Sequence, residues 1–151
     1  MQVTLPLSCG RYPNGSSAST LRRGSENDPA MEPAEAFSDR VAIDSRVREV
    51  ARPWTNGDYK SVARHWLSGK PVERWEPRDE VLERMRQAVE EALKGADGPV
   101  VVVTHGMVMS DYIASVADLD PISFWSDLGF PDVRYLDLDQ AQVRVPENLS
   151  S

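Results

Sequence analysis

The most informative stretch of this chain is Pro99-Val100-Val101-Val102-Val103-Thr104-His105-Gly106-Met107. Its four consecutive valines form an apolar run that is too short for a helix, and β-branched residues favour strands. A short run of this kind predicts a buried parallel strand that leads to His105. Ligands of open α/β sheets bind just beyond the carboxyl ends of such strands. His105 is therefore a candidate functional histidine, and Gly106 allows a ligand close to the backbone.

Helices are predicted on both sides of this strand. Before it, Arg78 to Lys94 carries one apolar stripe with Glu and Arg on the remaining face, between Pro77 and Gly95. After it, Met107 to Val116 also has its apolar residues at helical spacing. From this local pattern alone, the alternative interpretation of His105 is a structural histidine that caps the second helix.

Shorter elements are predicted along the rest of the chain. Asp58 to Leu67 has helical spacing, and Val133 to Leu138 is a strand that forms a hairpin with Val143 to Val145. Gln2 to Leu7 is a candidate strand in which Pro6 favours a sheet edge or the end of the strand. These elements extend the pattern of alternating strands and helices.

The segment from Ser8 to Pro33 is rich in Gly, Ser, Pro and Asn and lacks periodicity, which predicts a loop. A brief helix is predicted from Pro33 to Ser38. In the remainder of the chain the order is helix, strand, helix, strand. That order predicts an α/β fold with a mostly parallel sheet and helices on its faces.

Composition limits the functional classes. The chain has 151 residues, of which 40% are hydrophobic and 27% charged, and this is typical of one soluble globular domain over residues 1–151. A net charge of −7 argues against a general nucleic-acid binder. No apolar run approaches the roughly 20 residues of a membrane span, and no secretory signal is visible. With Cys9 as the single cysteine there is no internal disulfide, so we expect a cytoplasmic protein.

Three segments give the chain a family resemblance. Val102-Val103-Thr104-His105-Gly106-Met107 resembles the second histidine motif of the histidine phosphatase (phosphoglycerate-mutase-like) superfamily. Asp44-Ser45-Arg46-Val47-Arg48-Glu49-Val50, ahead of Trp54, resembles the segment that carries the acid of that family. Ser19-Thr20-Leu21-Arg22-Arg23-Gly24 resembles the segment with its second phosphate-binding arginine. The resemblance is good over residues 44–139 and poor over the first 43.

The resemblance implies a three-layer α/β sandwich whose N-terminal part is shortened. It implies a phosphatase-like or mutase-like protein that acts on or binds a small phosphorylated or carboxylated molecule, without a cofactor or metal. A phosphoryl group carries up to two negative charges, so cations and imidazole protons must surround it. By motif, His105 is the second histidine, Glu49 the proton donor, Arg23 the second arginine and Gly106 part of the phosphate site. The alternative for Glu49 is a solvated carboxylate beside a neighbouring arginine.

The chain departs from the family at the nucleophile. The family carries it in an Arg-His-Gly triplet after the first strand, and this sequence has no such triplet. If Gln2 to Leu7 is that strand, Ser8-Cys9-Gly10 takes the place of the triplet; in a second possible register the first strand is absent. The other histidine, His65, lies beside Trp66 in a helical stretch and is expected to be a surface or packing residue.

Cys9 is a possible replacement for the missing nucleophile. A thiolate accepts a phosphoryl group if nearby cations lower its pKa, although a lone cysteine is more often a small packing residue. Loss of a nucleophile costs on the order of a millionfold in rate where residues act as a unit. We therefore expect phosphohistidine chemistry to be impaired.

Two further hypotheses follow from the same residues. Glu49 and His105 could form an acid/base pair for a reaction that forms no phosphoenzyme, because a carboxyl and an imidazole in one cavity suit proton transfer. Alternatively the domain is a non-catalytic binding module, with a homodimer formed through Phe124, Trp125 and Phe130. Such an apolar segment is more often core than interface.

Overall fold

One sheet organises the part of the chain that the structure describes. The computed structural model describes residues 2–7, 19–22, 41–54, 57–96, 98–129 and 132–146, with only the strand backbone for 2–7, 19–22 and Val41. Within these ranges six strands form a single sheet. They are β1 (Gln2–Leu7), β2 (Ser19–Arg22), β3 (Val41–Ile43), β4 (Val100–Val102), β5 (Asp132–Asp137) and β6 (Gln142–Arg144).

The first four strands run parallel to one another. The order across the sheet is β3-β2-β4-β1-β5-β6, so β4 lies in the interior between β2 and β1. Val3 and Ser19 both pair with Val100, and Arg22 pairs with Ile43. The predicted parallel strand before His105 is confirmed, and so is the predicted α/β class with a mostly parallel sheet.

The last two strands form the predicted hairpin. β5 runs antiparallel to β1, with Asp132 opposite Leu7, and β6 runs antiparallel to β5, with Val143 opposite Leu136. The turn between them is held by the Asp137 carboxylate, which accepts hydrogen bonds from two backbone N–H groups at 3.0 Å. Because β5 is antiparallel, it begins at the edge where the four parallel strands end.

The three longer helices agree closely with the sequence patterns, whereas the short helix Pro121–Ser126 was not predicted. The described helices are α1 (Tyr59–Leu67), α2 (Arg78–Lys94), α3 (Gly106–Ala117) and α4 (Pro121–Ser126), and a short 3₁₀ turn (Ser45–Val47) follows β3. Asp58 caps α1 by accepting a hydrogen bond from the Ser61 N–H at 3.1 Å. α2 has the predicted bounds, since its flanking Pro77 and Gly95 act locally.

The hydrophobic core lies between the sheet and these helices. α3 is its centre and contacts α1, α2 and α4, so most of its residues are buried. The fully buried large side chains come from all three longer helices and the sheet, and include Trp66, Leu67, Met85, Met107, Met109, Ile113 and Leu136. The helix that follows His105 is therefore packed on several sides.

Two predictions are corrected. Ser19–Arg22 is a strand, although the sequence predicted a loop from Ser8 to Pro33, because β4 and β3 supply its hydrogen-bonding partners from distant parts of the chain. β1 is an interior strand, so the edge position suggested by Pro6 is wrong; Pro6 is the next-to-last residue of that strand.

Several predictions concern residues outside the described ranges. The helix predicted for residues 33–38 is one of them, and most of the loop predicted for residues 8–33 is another. Among the described helices, none is long and apolar enough to cross a membrane.

Candidate functional site

The sequence-predicted site residues follow strands that end at one edge of the sheet. We call this edge the strand-tip edge and define it by the ends of the parallel strands, Leu7, Arg22, Ile43 and Val102. His105 lies three residues after β4. Glu49 follows β3, while Arg23 and Cys9 follow β2 and β1 but lie outside the described residues.

His105 connects the sheet to α3. Its backbone is extended, with φ −120° and ψ 160°, and its carbonyl accepts the hydrogen bond of the Met109 N–H at 2.9 Å, so it is the N-cap residue of the helix. Its side chain makes no cap hydrogen bond. The half-buried imidazole therefore lies at the start of the helix without capping it by a side-chain hydrogen bond.

Gly106 begins α3 with an ordinary helical backbone. A Cβ built there would be 3.6 Å from Nε1 of Trp125 and 3.8 Å from Cδ1 of Leu128, which is normal van der Waals contact. The packing around the helix start thus does not by itself require glycine. A phosphate-binding role for Gly106 stays a prediction.

The segment that carries Glu49 has little regular structure of its own. Its 3₁₀ turn is capped by Asp44, whose carboxylate accepts the Arg46 N–H at 2.8 Å and the Arg46 guanidinium at 2.6–3.0 Å. These bonds to Arg46 lower the pKa of Asp44. The Glu49 carboxylate is half-buried and accepts the Val50 N–H at 2.9 Å.

No ion pair to Glu49 occurs within the described part of the chain. Arg48, one of its two expected neighbours, binds the Glu76 carboxylate instead, with N–O distances of 2.7 and 2.8 Å. Arg52, the other, lies on the Tyr59 ring. The Glu49 carboxylate therefore forms no ion pair with either arginine in the described part of the chain, and Arg48 contacts Glu49 only through its backbone carbonyl, to which Nη1 donates at 3.3 Å.

Thr104 joins the two halves of the candidate site. Its buried hydroxyl donates a hydrogen bond of 2.7 Å to the Val47 carbonyl. Thr104 immediately precedes His105, and Val47 lies two residues before Glu49. This bond fixes the backbone of the imidazole segment to the backbone of the carboxylate segment.

Glu76 and Arg84 also bind the segment that carries Glu49. The sequence did not predict this role for either residue. Glu76, with 9% of its side chain exposed, accepts hydrogen bonds from Arg48, Arg84 and the Ala51 N–H. Arg84 also donates to the carbonyls of Arg46, Arg48 and Glu49. Burial alone raises the pKa of Glu76, but the bonds from Arg48, Arg84 and the Ala51 N–H outweigh it and lower the pKa to about 2.

The sequence of α2 contains one indication of this network, an arginine on the apolar side of the helix. Arg84 is three residues after Val81 and four before Ala88, and both of those are fully buried, so it lies on the apolar side of the helix. An arginine at such a position needs buried acceptors. The sequence does not say which, because Glu76 and the carbonyls of residues 46–49 come together only in the fold.

An aromatic cluster, formed by Tyr59, Trp75 and Trp125, lies next to the start of α3. Tyr59 stacks on Trp75 with ring centroids 6.2 Å apart and meets Trp125 edge-on at 6.3 Å. Its hydroxyl donates to Sδ of Met107 at 3.0 Å. Phe124 and Trp125 pack partly buried against the core, so this segment contributes to the domain itself, while Phe130 lies outside the described residues.

His65 is exposed on α1, as predicted for a surface residue. Of the two histidines of the chain, only His105 follows a strand of the sheet. Within the described ranges, no group of three or more His, Cys, Asp or Glu side chains is arranged to hold a metal.

Comparisons with known proteins agree with this fold. Residues 18–142 match the family model of the histidine phosphatase superfamily, branch 1. The structure of Bacillus stearothermophilus YhfR is similar with a TM-score of 0.65 at 20% identity, and the alignment covers 95% of each chain.

A mycobacterial glucosyl-3-phosphoglycerate phosphatase is also similar. Its native structure has a TM-score of 0.59 at 19% identity over 86% of this chain and 76% of that one. Its complex with inorganic phosphate has a TM-score of 0.56 at 21% identity over 85% and 74%. No curated protein matches the chain. At these identities the structural likeness establishes the fold.

Proposed function

The chain belongs to the histidine phosphatase superfamily, branch 1, and from this premise we propose that it binds small phosphorylated molecules at the strand-tip edge. His105 and Glu49 are the described side chains that we assign to the site. The proposal is supported by the parallel pairing of β2, β3 and β4, because the ends of these strands lie at one edge of the sheet and precede Arg23, Glu49 and His105 in the sequence.

The start of α3 adds to the attraction for an anion. α3 has twelve residues, and the N–H groups and dipole of a helix start favour negative charge. His105 precedes this helix directly, so a phosphoryl group that contacts the imidazole also lies near the helix start. The related mycobacterial phosphatase that was crystallised with inorganic phosphate makes phosphate the natural first ligand to test.

Catalysis is expected to be weak. The chain has no Arg-His-Gly triplet, and β1 leads instead to Ser8-Cys9-Gly10. This segment lacks the imidazole that would take the phosphoryl group and the arginine beside it. We propose that Glu49 keeps the family's proton-donor role, that Gly106 and Arg23 contribute to phosphate binding, and that Cys9 is the one candidate for a substitute nucleophile.

The binding proposal is tested by nuclear magnetic resonance of the two histidines. His65→Gln removes one imidazole signal and assigns the other to His105. Titration with inorganic phosphate and with vanadate is expected to shift the His105 signal at up to millimolar concentration and to leave the exposed His65 unchanged. Absence of a shift at His105, or equal shifts at both histidines, would contradict a phosphate site at this edge.

Phosphate release from monoesters tests the chemistry. The wild type is compared with His105→Ala, Cys9→Ser and Glu49→Gln, and we expect activity far below that of an intact nucleophile site. Loss of activity on Cys9→Ser identifies a thiolate nucleophile. Loss on His105→Ala and Glu49→Gln, with Cys9→Ser unaffected, indicates an acid/base pair, and no activity in any form indicates a binding protein.

A further inference from the structure

Arg52 differs in its contacts from the other described arginines near the strand-tip edge. Four of them form ion pairs with carboxylates: Arg46 with Asp44, Arg48 and Arg84 with Glu76, and Arg134 with Asp132. Within the described residues, the contacts of Arg52 are instead with aromatic rings and a phenol hydroxyl. Among these residues, Arg52 forms no ion pair with a carboxylate.

The guanidinium of Arg52 is held in place although it is exposed. Its Cζ lies 4.7 Å from the centroid of the Tyr59 ring and 5.5 Å from that of Trp75. Its Nη2 donates to the Tyr59 hydroxyl at 3.2 Å. A guanidinium has five N–H donors, so most of them remain for a ligand. An arginine fixed in this way loses little conformational freedom on binding an anion.

Tyr59 connects Arg52 to the candidate site. The Tyr59 hydroxyl donates to Met107, two residues after His105, and the Tyr59 ring meets Trp125, which borders Gly106. Burial raises the pKa of Tyr59, with Arg52 opposing this effect and Glu49 adding to it. Both charged side chains are thus close enough to act on the same phenol.

Arg52 lies one layer of side chains away from the imidazole segment, since Tyr59 and Met107 come between them. Tyr59 contacts Arg52 and also contacts Met107 and Trp125 beside the start of α3. Arg52 would therefore meet the alcohol portion of an ester that contacts His105 through its phosphoryl group and extends towards Tyr59.

We propose that Arg52 is a specificity-determining residue that binds a second anionic group, a carboxylate or a further phosphate, on the alcohol portion of the ligand. This inference rests on the proposed binding of phosphorylated molecules at the strand-tip edge. The preferred ligands are then small phosphomonoesters that carry two separated negative groups. Neutral alcohol portions of equal size bind less tightly.

The test compares two ligands that differ in one group. 3-Phosphoglycerate has a carboxylate where glycerol 3-phosphate has a hydroxymethyl group, and inorganic phosphate lacks the alcohol portion. Their dissociation constants are measured by calorimetry for the wild type, Arg52→Gln and Arg52→Lys. Arg64→Gln is the matched control, because it removes the same charge from the exposed face of α1.

The wild type is expected to bind 3-phosphoglycerate about tenfold more tightly than glycerol 3-phosphate, as one charge-assisted hydrogen bond provides. Arg52→Gln abolishes this preference and leaves the affinity for glycerol 3-phosphate and phosphate unchanged. Arg52→Lys keeps part of the preference, and Arg64→Gln keeps all of it. Thermal melting verifies that each variant is folded.

Three results would overturn the assignment. Equal weakening of all three ligands by Arg52→Gln would place Arg52 at the phosphoryl group itself. Ligand binding by the wild type without a preference for 3-phosphoglycerate, or a preference that survives Arg52→Gln, would refute the inference and leave the proposed function intact. No binding of any of the three ligands by the wild type would refute both.

Discussion

At the scale of single residues, the hydroxyl of Thr104 has the clearest measurable consequence. It is buried and donates to the Val47 carbonyl, so it joins the segments of His105 and Glu49. Thr104→Val keeps the shape of the side chain but leaves that carbonyl without its donor. We expect the free energy of unfolding to fall by about 1–3 kcal/mol, measured by urea denaturation, and phosphate binding to weaken.

Thr104→Ser is the matched control because it keeps the hydroxyl and loses only a methyl group. It is expected to retain the phosphate-induced shift of His105 that Thr104→Val diminishes. If the two variants lose phosphate binding equally, the methyl group and not the hydrogen bond positions the site.

At the scale of elements, the Glu49 segment depends on side chains of its neighbours. It contains only one short 3₁₀ turn, and Glu76 and Arg84 satisfy its backbone and its Arg48 side chain. Glu76→Gln removes a buried charge that serves two arginines. We expect it to cost about 3–5 kcal/mol in the free energy of unfolding at neutral pH, measured by urea denaturation.

Glu83→Gln tests whether the burial of Glu76 causes the large cost expected for Glu76→Gln. Glu83 also pairs with an arginine, Arg86, but both side chains are half exposed. Both charges of an exposed pair remain in water, so the pair adds little to stability and this substitution should be nearly neutral. A similar cost for Glu76→Gln and Glu83→Gln would show that the Glu76 network does not support the segment.

The sequence predicts the features that depend on local signals and misses those that depend on contacts between distant segments. The bounds of α2 are predictable because its apolar stripe, Pro77 and Gly95 are local signals, and β4 is predictable because its valines are contiguous. β2 is not, because its four residues become a strand only through pairing with β4 and β3. Likewise the roles of His105 and Glu49 are predicted by motif, whereas Glu76 resembles a solvated acid in the sequence because its arginines reach it only in the fold.

At the scale of the whole molecule, two buried carboxyl groups have opposite effects on the pH dependence of stability. Bonds to its arginines lower the pKa of Glu76 from 4.5 to about 2 against the effect of burial, so its ionised form favours the folded state. Burial raises the pKa of Asp111 above 3.8 despite its ion pair with Arg78, so its ionised form favours unfolding. The pH dependence of the free energy of unfolding of the wild type therefore contains two contributions that partly cancel.

Two amide variants separate these contributions. The contribution of Glu76 is present above pH 4.5, amounts to about 3 kcal/mol, and is lost as pH falls towards 2. The cost of Glu76→Gln relative to the wild type should therefore grow as pH rises from 2 to 5. The contribution of Asp111 is present below pH 3.8 and is lost as pH rises through its folded pKa, so Asp111→Asn should gain stability relative to the wild type over that rise. Urea denaturation at pH 3, 5 and 7 measures the difference in the free energy of unfolding between the wild type and each variant. If both differences changed with pH in the same direction, the ion pair with Arg78 would stabilise ionised Asp111 more than burial destabilises it.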